Sequence, residues 1–268
     1  MKHIVSFSSG LSSAITAERV QQKYGEVTII FMDTLIEDDD NYRFLNDMNA
    51  RWSELYGNKI IVLKEGRTPY QVGSDEHIIP NNKIAPCTFR LKIEIFTNYL
   101  KRINDDITIY IGYDWTEVHR IEPTRKNYEE KGWNVDFPLL WKPIEYRPYT
   151  QVCREDWNIE PPRMYSLGYT HANCGGICVK QGQGDWLRTL INFPERYEYV
   201  EKWELSMRQK LGDYAILRYQ TMEGRKPLTL QELRTKYQNN LQVNFFELDQ
   251  QSTCISCGIG DVLFDNKY

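Results

Sequence analysis

The 268-residue chain has no apolar run approaching the ~18 residues that a membrane-spanning helix requires. Its first residues, Met1-Lys2-His3-Ile4-Val5, hold neither the apolar core nor the small-residue cleavage site of a secretory signal, so a cytoplasmic protein is expected. Cations are not in excess: 33 Lys+Arg face 37 Asp+Glu, a net charge of −4, which excludes a generic nucleic-acid footprint but is compatible with a local basic groove. Internal repeats, low-complexity tracts and an obvious linker are all missing. A disulfide framework is also disfavoured, because six cysteines without a secretory signal more often bind metal or do chemistry. What is present is the material of a folded core. Hydrophobic residues make up 41% and aromatics 13%, too many for an unfolded acidic chain.

Strand-like and helix-like patterns alternate from the start. His3 to Phe7 is a short apolar run. Ser13 to Tyr24 has helical spacing, with Ala14, Ala17, Val20 and Tyr24 on one side. Val27 to Met32 (VTIIFM) reads as a buried parallel strand, Asn41 to Tyr56 as an amphipathic helix, and Lys59 to Leu63 as a third strand. Ile107 to Ile111 predicts a fourth strand and Phe137 to Leu140 a fifth. This order predicts an α/β fold: a Rossmann-like, parallel, five-stranded sheet flanked by helices. Glu65 to Ala85 and Pro143 to Pro162 read as loops. Cys87 to Ile103, Pro194 to Leu211 and Leu228 to Tyr237 read as helices. The expected division is an α/β domain over residues 1–170 and a helical, cysteine-rich, metal-binding extension over 171–268.

Ser8-Ser9-Gly10-Leu11-Ser12-Ser13 follows the first strand and opens a helix. Backbone N–H groups at such a helix start point outward with partial positive charge, so an anion is stabilised there. The plainer reading of the same residues is a serine-rich helix cap. The turn has neither the lysine of a Walker loop nor the three spaced glycines of a dinucleotide site. Its position adds information, because ligands of open α/β sheets sit beyond the carboxyl ends of the strands. Asp33 and Thr34 follow the second strand and Gly112 the fourth, so all three are expected to share one crevice with the serine turn. Glu37-Asp38-Asp39-Asp40 reads either as a Mg²⁺ holder or as an acidic helix N-terminus.

The cysteines fall into pairs. Cys174-Gly-Gly-Ile-Cys178 and Cys254-Ile-Ser-Cys257 each fit half of a tetrathiolate site for zinc or a [4Fe–4S] cluster. The alternative is that they are buried free thiols. Cys153 has no partner at useful spacing and reads as structural. His171 reads as a loop histidine or a further metal ligand.

Taken in order, several segments are similar to the PAPS reductase and N-type ATP pyrophosphatase superfamily, the adenine nucleotide α-hydrolases with their PP-loop. Ser6-Phe7-Ser8-Ser9-Gly10-Leu11-Ser12-Ser13-Ala14 resembles their pyrophosphate-binding loop, with Ser9 where a glycine is usual and Ser12 where Asp or Thr is usual. Phe31-Met32-Asp33-Thr34 resembles the adenine-holding end of the second strand. Pro86-Cys87-Thr88-Phe89-Arg90-Leu91-Lys92 looks like the family's cysteine-containing helix start. Gly112 to Arg120 resembles its Gly-x-Arg segment, and Met164-Tyr165-Ser166-Leu167-Gly168-Tyr169 with Asn173-Cys174 resembles its Leu-Tyr-x-x-Gly-Tyr and Gly-Cys segment. The nearest flavour is that of small PAPS-reductase-like proteins found in phage genomes.

This resemblance implies an enzyme binding ATP or PAPS/APS through Ser6, Ser8 to Ser13, Asp33, Thr34 and Gly112. Arg120 is implied as the phosphate or sulfate partner and Cys87 as a reactive thiol or metal ligand. Arg90, Lys92 and Arg125 are further candidates for a basic wall. The chemistry implied is either sulfonucleotide reduction or ATP-dependent adenylation followed by sulfur transfer, with a sulfur or electron donor protein and tRNA or DNA as acceptor. A non-catalytic nucleotide-binding protein is the reading from another class. A homodimer is compatible with all of these.

Overall fold

The computed structural model describes residues 1–144, 146–222 and 224–239. Cys254 and Cys257 lie outside the described residues. The chain divides into two compact units. One comprises Met1–Gly66 and Thr88–Arg163; the other comprises Arg67–Cys87 and, among the described residues, everything from Met164 onward.

The first unit is built on a five-stranded parallel sheet of β1 (Lys2–Phe7), β2 (Thr28–Asp33), β3 (Ile60–Lys64), β4 (Ile107–Tyr110) and β5 (Asn134–Asp136), in the order β3-β2-β1-β4-β5. The expected α/β class and strand number hold. The strands are apolar without alternation because helices cover both faces of a parallel sheet. Central β1 shows this: Ile4, Val5 and Phe7 have no exposed surface, and each contributes about 1.5–3 kcal/mol by burial. Phe7 lies opposite Phe31 in β2, and Val5 opposite Tyr110 in β4, so the carboxyl ends of three neighbouring strands leave one edge together.

The helices after β1 and β2 are α1 (Leu11–Tyr24) and α2 (Asp39–Tyr56). Phe44, Leu45, Met48 and Trp52 recur at helical spacing and form the buried stripe of α2. A buried carboxylate joins the two helices. Glu18 of α1 accepts from Trp52 Nε1 at 2.8 Å and Tyr56 Oη at 3.0 Å, and pairs with Arg51 at 3.1 Å. With a donor on each of its oxygens, Glu18 is buried as a hydrogen-bonded carboxylate.

Three local readings change. The apolar run Phe137 to Leu140 is not the fifth strand; Pro138–Leu140 is a turn of 3₁₀ helix, and the strand is the short segment just before it. Pro138 has no N–H to give a sheet ladder. The segment read as a loop over Glu65 to Ala85 contains a helix, Pro69–Asp75. Thr68 caps it, accepting from Gln71 N at 3.2 Å while Gln71 Oε1 accepts from Thr68 N at 2.7 Å. A helix at Tyr149–Glu155 likewise interrupts the expected loop at Pro143 to Pro162. The expected helix at Cys87 to Ile103 forms, but its middle, Phe89–Glu94, is π-helical.

In the second unit, helix Pro194–Leu211 has the expected bounds, and helices Gln183–Asn192 and Leu230–Asn239 accompany it. Between the last two, β6 (Leu217–Thr221) and β7 (Gly224–Leu228) form an antiparallel ribbon. Its base is held by one buried carboxylate. Glu204, with no exposed surface, accepts from Ile216 N at 2.8 Å and from Leu230 N at 2.7 Å, fixing the residues on either side of the ribbon. Burial pushes the Glu204 carboxyl above its usual range, and the two backbone donors offset part of that rise.

Candidate functional site

The serine turn sits at the carboxyl end of β1, where chain order reverses across the sheet: β2 lies on one side of β1 and β4 on the other. That is the switch point at which open α/β sheets carry ligands. Gly10 is the N-cap of α1 and has no side chain with which to cap it. Ser13 turns inward instead. Its Oγ donates to Gly10 O at 2.8 Å and accepts from Ser8 N at 3.1 Å, while Ser8 Oγ lies 3.1 Å away. The serines therefore shape the loop from within rather than closing the helix start.

Ser9 occupies the left-handed region at φ 60, a conformation that costs a non-glycine residue about 1–2 kcal/mol. Its side chain is fully buried and donates to Asn41 O at 2.9 Å, which ties the loop to α2 and offsets part of that cost. Gly112, beyond β4, is packed against the same loop. A Cβ there would lie 2.9 Å from Thr16 Oγ1 and 3.0 Å from Ser12 O. Thr16 Oγ1 in turn donates to Ser12 O at 2.8 Å, so glycine is required by close approach to the first turn of α1.

Asp33 and Thr34 also reach this edge, but their side chains are engaged locally. Asp33 Oδ1 accepts from Leu35 N at 2.8 Å and from Tyr42 Oη at 2.7 Å. Thr34 Oγ1 donates to Glu37 at 2.9 Å. Burial, with the hydrogen bond to Asp33, pushes the Tyr42 hydroxyl pKa well up, so this donor stays protonated. Tyr42 was not legible as a site residue, and Glu37 was read only as part of the acidic run; they meet Asp33 and Thr34 through the turn into α2. The acidic run mainly builds that helix start: Asp38 accepts from Asp40 N at 2.9 Å and from Arg163 at 2.8 Å, and Asp40 pairs with Arg43 at 2.7 Å.

Arg120 is buried at the end of the 3₁₀ segment Trp115–Arg120. Its guanidinium stacks 4.2 Å above the Tyr113 ring and donates to Glu117. Burial pushes the Glu117 carboxyl upward, and Arg120 beside it opposes that shift. Arg90 pairs with Glu94 at 3.4 Å and Arg125 with Glu122 at 3.2 Å, so each expected basic-wall arginine has a carboxylate neighbour. Beside the β4 exit lies a cavity of about 440 Å³ lined by Asp114, Trp115 and Ile144 and by the run Tyr146 to Tyr149. Trp115 and Tyr146 are 68% and 84% exposed, an arrangement suited to covering a flat ring.

No family model and no curated protein matches the chain. Among solved structures, the phosphoadenylyl-sulfate (PAPS) reductase from Candida auris, in a phosphate complex, is similar over 63% of this chain and 80% of its own, with 16% identity and a TM-score of 0.42.

Among the described residues, Cys87, Cys174 and Cys178 belong to the second unit, and Cys153 is fully buried in the first. Burial pushes the Cys153 thiol up to about 12, which keeps it neutral and fits a structural role. Cys174 and Cys178 lie on a tight turn in which Cys174, Gly175 and Gly176 all have positive φ (52, 56 and 78). Gly176 is needed twice over, since a Cβ would also lie 2.9 Å from Met164 Cε. The turn is held by Gln181 Nε2 to Gly176 O at 2.7 Å, by Arg196 to Gly175 O at 2.8 Å, and by Tyr70 Oη to Ile177 O. Tyr70 is buried, and its pKa is raised by burial first and then by the proximity of Cys178, Cys174 and Cys87. The three cysteines thus share the surroundings of one tyrosine. Among the described residues, no group of three or more His, Cys, Asp or Glu side chains is arranged to hold a metal ion, and no step is derived through a metal.

Proposed function

We propose that the first unit binds an adenine nucleotide, ATP or PAPS/APS, and that the protein acts at its α-phosphate or sulfate in sulfur metabolism or sulfur transfer. The observation that carries this reading is the start of α1 on Gly10 at the sheet's switch point, with Gly112 packed against its first turn. In this reading the amides and hydroxyls over Ser8 to Ser13 address the phosphates. Asp33 and Thr34 shape the adenosine side. Arg120 neutralises charge that develops on the transferred group.

Two reactions fit. In sulfonucleotide reduction, a thiolate attacks the sulfate sulfur and the S–O bond to the nucleotide breaks. A second thiol, from a dithiol donor protein, then releases sulfite as the two sulfurs form a disulfide. In adenylation, an acceptor oxygen attacks the α-phosphorus of ATP and pyrophosphate leaves. A sulfur nucleophile then replaces the activated oxygen and AMP departs. The cavity beside Trp115 favours the second, because a planar acceptor could lie against its aromatic wall on the β4 side. The reading of Cys174, Cys178, Cys254 and Cys257 as a tetrathiolate for zinc or a [4Fe–4S] cluster, with Cys87 as a reactive thiol, belongs to the same proposal.

The test is turnover by the full chain. Pyrophosphate release from ATP, or sulfite and the 3′,5′-bisphosphate from PAPS with a dithiol, would support an enzyme and choose the reaction. Nucleotide binding without either product would favour a non-catalytic nucleotide-binding protein. Absence of binding by ATP and PAPS alike would overturn the reading.

A further inference from the structure

The β6–β7 ribbon is an unusual use of chain. Leu217 and Leu228 at its base are buried, but the body of the ribbon is exposed: Arg218, Tyr219 and Gln220 on one strand, Arg225 and Lys226 on the other. Two strands that bury neither face gain little from the hydrophobic effect and are marginal alone. This ribbon is fixed from below. Glu204 binds the backbone on either side of it, and Tyr197 Oη donates to Leu230 O at 2.7 Å. These contacts fix the chain on both sides of the ribbon at its base.

Register decides what the projection presents. Arg218 opposes Pro227, Tyr219 opposes Lys226, and Gln220 opposes Arg225. Residues alternate between faces, so Arg218, Gln220 and Arg225 share one face, with the two arginines on a diagonal of about 7–8 Å. Tyr219 and Lys226 share the other. Neither strand contains a carboxylate; Glu223, between them, lies outside the described residues. Among the described residues, Arg218 and Arg225 make no ion pair. Edge protection alone accounts for the cations and for Pro227, which also prevents strand addition along its edge. It does not account for a clamped ribbon that buries only the leucines at its base, nor for Tyr219 at 41% exposure and Met222 fully exposed at the tip.

We propose that this ribbon is a nucleic-acid-binding element. A two-stranded ribbon fits the major groove of a duplex, arginine forks match phosphates and guanine edges, and glutamine matches adenine. Tyr219 offers a face for stacking an unpaired base. The chain as a whole carries −4, so the attraction is local to the ribbon. The inference does not depend on nucleotide chemistry in the other unit.

The test uses the full chain and fluorescence anisotropy with a labelled short duplex DNA, a single-stranded RNA and an acidic peptide, titrated from about 50 to about 200 mM salt. Nucleic acid is expected to bind with an affinity that falls steeply with salt. Arg218→Ala with Arg225→Ala is expected to weaken binding at least tenfold and to reduce the slope of log K against log salt by about 2. Arg218→Lys with Arg225→Lys is expected to retain most of the slope, which separates lost charge from a disturbed ribbon. Three results would overturn the proposal: no nucleic-acid binding at low salt, an alanine pair that binds like the parent, or tighter binding of the acidic peptide than of either nucleic acid.

Discussion

Gly112→Ala tests the contact on which the proposed nucleotide site depends. Gly112 has an ordinary negative φ, so alanine brings no backbone penalty; the cost is one of space. The new methyl would sit 2.9 Å from Thr16 Oγ1, 3.0 Å from Ser12 O and 3.1 Å from Ser12 C, where ordinary contacts begin at 3.4 Å. Thr16 cannot simply turn away, because its hydroxyl is bonded to the same Ser12 carbonyl. The first turn of α1 must therefore move by about half an ångström. Overpacking of this kind costs about 1–3 kcal/mol, a fall in Tm of roughly 2–12 °C for a chain of this size. The shift also misplaces the helix-start amides, for which about a tenfold loss of nucleotide affinity is expected. Thermal melts with and without ATP or PAPS read both effects, since a tenfold weaker ligand gives up about 1.4 kcal/mol of stabilisation at saturation. Gly132→Ala is the control: nothing lies within 4 Å of its Cβ position and its φ is +83, so it should lose about 1 kcal/mol of stability and no affinity. A Gly112→Ala protein that melts and binds like the parent would refute the packing argument.

Ser9→Gly should be nearly neutral in stability, within about 1 kcal/mol, because relief at φ 60 offsets loss of the bond to Asn41. Ser9→Val should cost about 2–4 kcal/mol by urea denaturation, since a β-branched residue fits that conformation poorly. Glu204→Gln places an amide NH₂ against a backbone N–H of Ile216 or Leu230 and should cost about 1–3 kcal/mol. Because the Glu204 pKa is raised in the fold, its contribution is full below the ordinary value of 4.5 and declines as pH rises through the raised value. The deficit of the variant should accordingly be largest in acid and narrow toward neutral pH; a pH-independent deficit would contradict the buried-carboxylate account. Anaerobically purified protein is expected to contain zinc, or iron with acid-labile sulfide, and Cys174→Ser to lose it; a metal-free parent would remove the tetrathiolate reading.

The parallel sheet was legible because continuous apolar runs such as TIIFM have no exposed face to serve, and the chain alternates them with helices. Helix Pro194–Leu211 was legible from end to end, bounded by Pro194 and Gly212. The site was legible in outline, since loops after β1, β2 and β4 must leave one edge of a parallel sheet. Its wiring was not: Tyr42 on Asp33, Asn41 on Ser9 and Thr16 beneath Gly112 arise from tertiary packing that no spacing encodes. The helix at Pro69–Asp75 did carry a signal, Thr68-Pro69-Tyr70-Gln71, obscured by the glycines and prolines around it. The fifth strand was displaced because hydrophobicity outweighed the geometry of Pro138. The ribbon gave no sign, since strands that bury neither face need no alternation.

The π-helical stretch Phe89–Glu94 bears on how this region could have arisen and how it will tolerate change. A π turn holds one more residue than an α turn, which makes it the structural trace of a single-residue insertion that the helix absorbed without breaking. Deleting one residue there would restore the regular winding and leave Thr88 and Ile95 facing nearly as before, because the wide turn already absorbs the extra residue. The segment is thus a place where chain length can change by one without re-aiming its flanks. A deletion variant would keep its helical content and the side chains on either side, a tolerance that composition and hydrophobicity would never register.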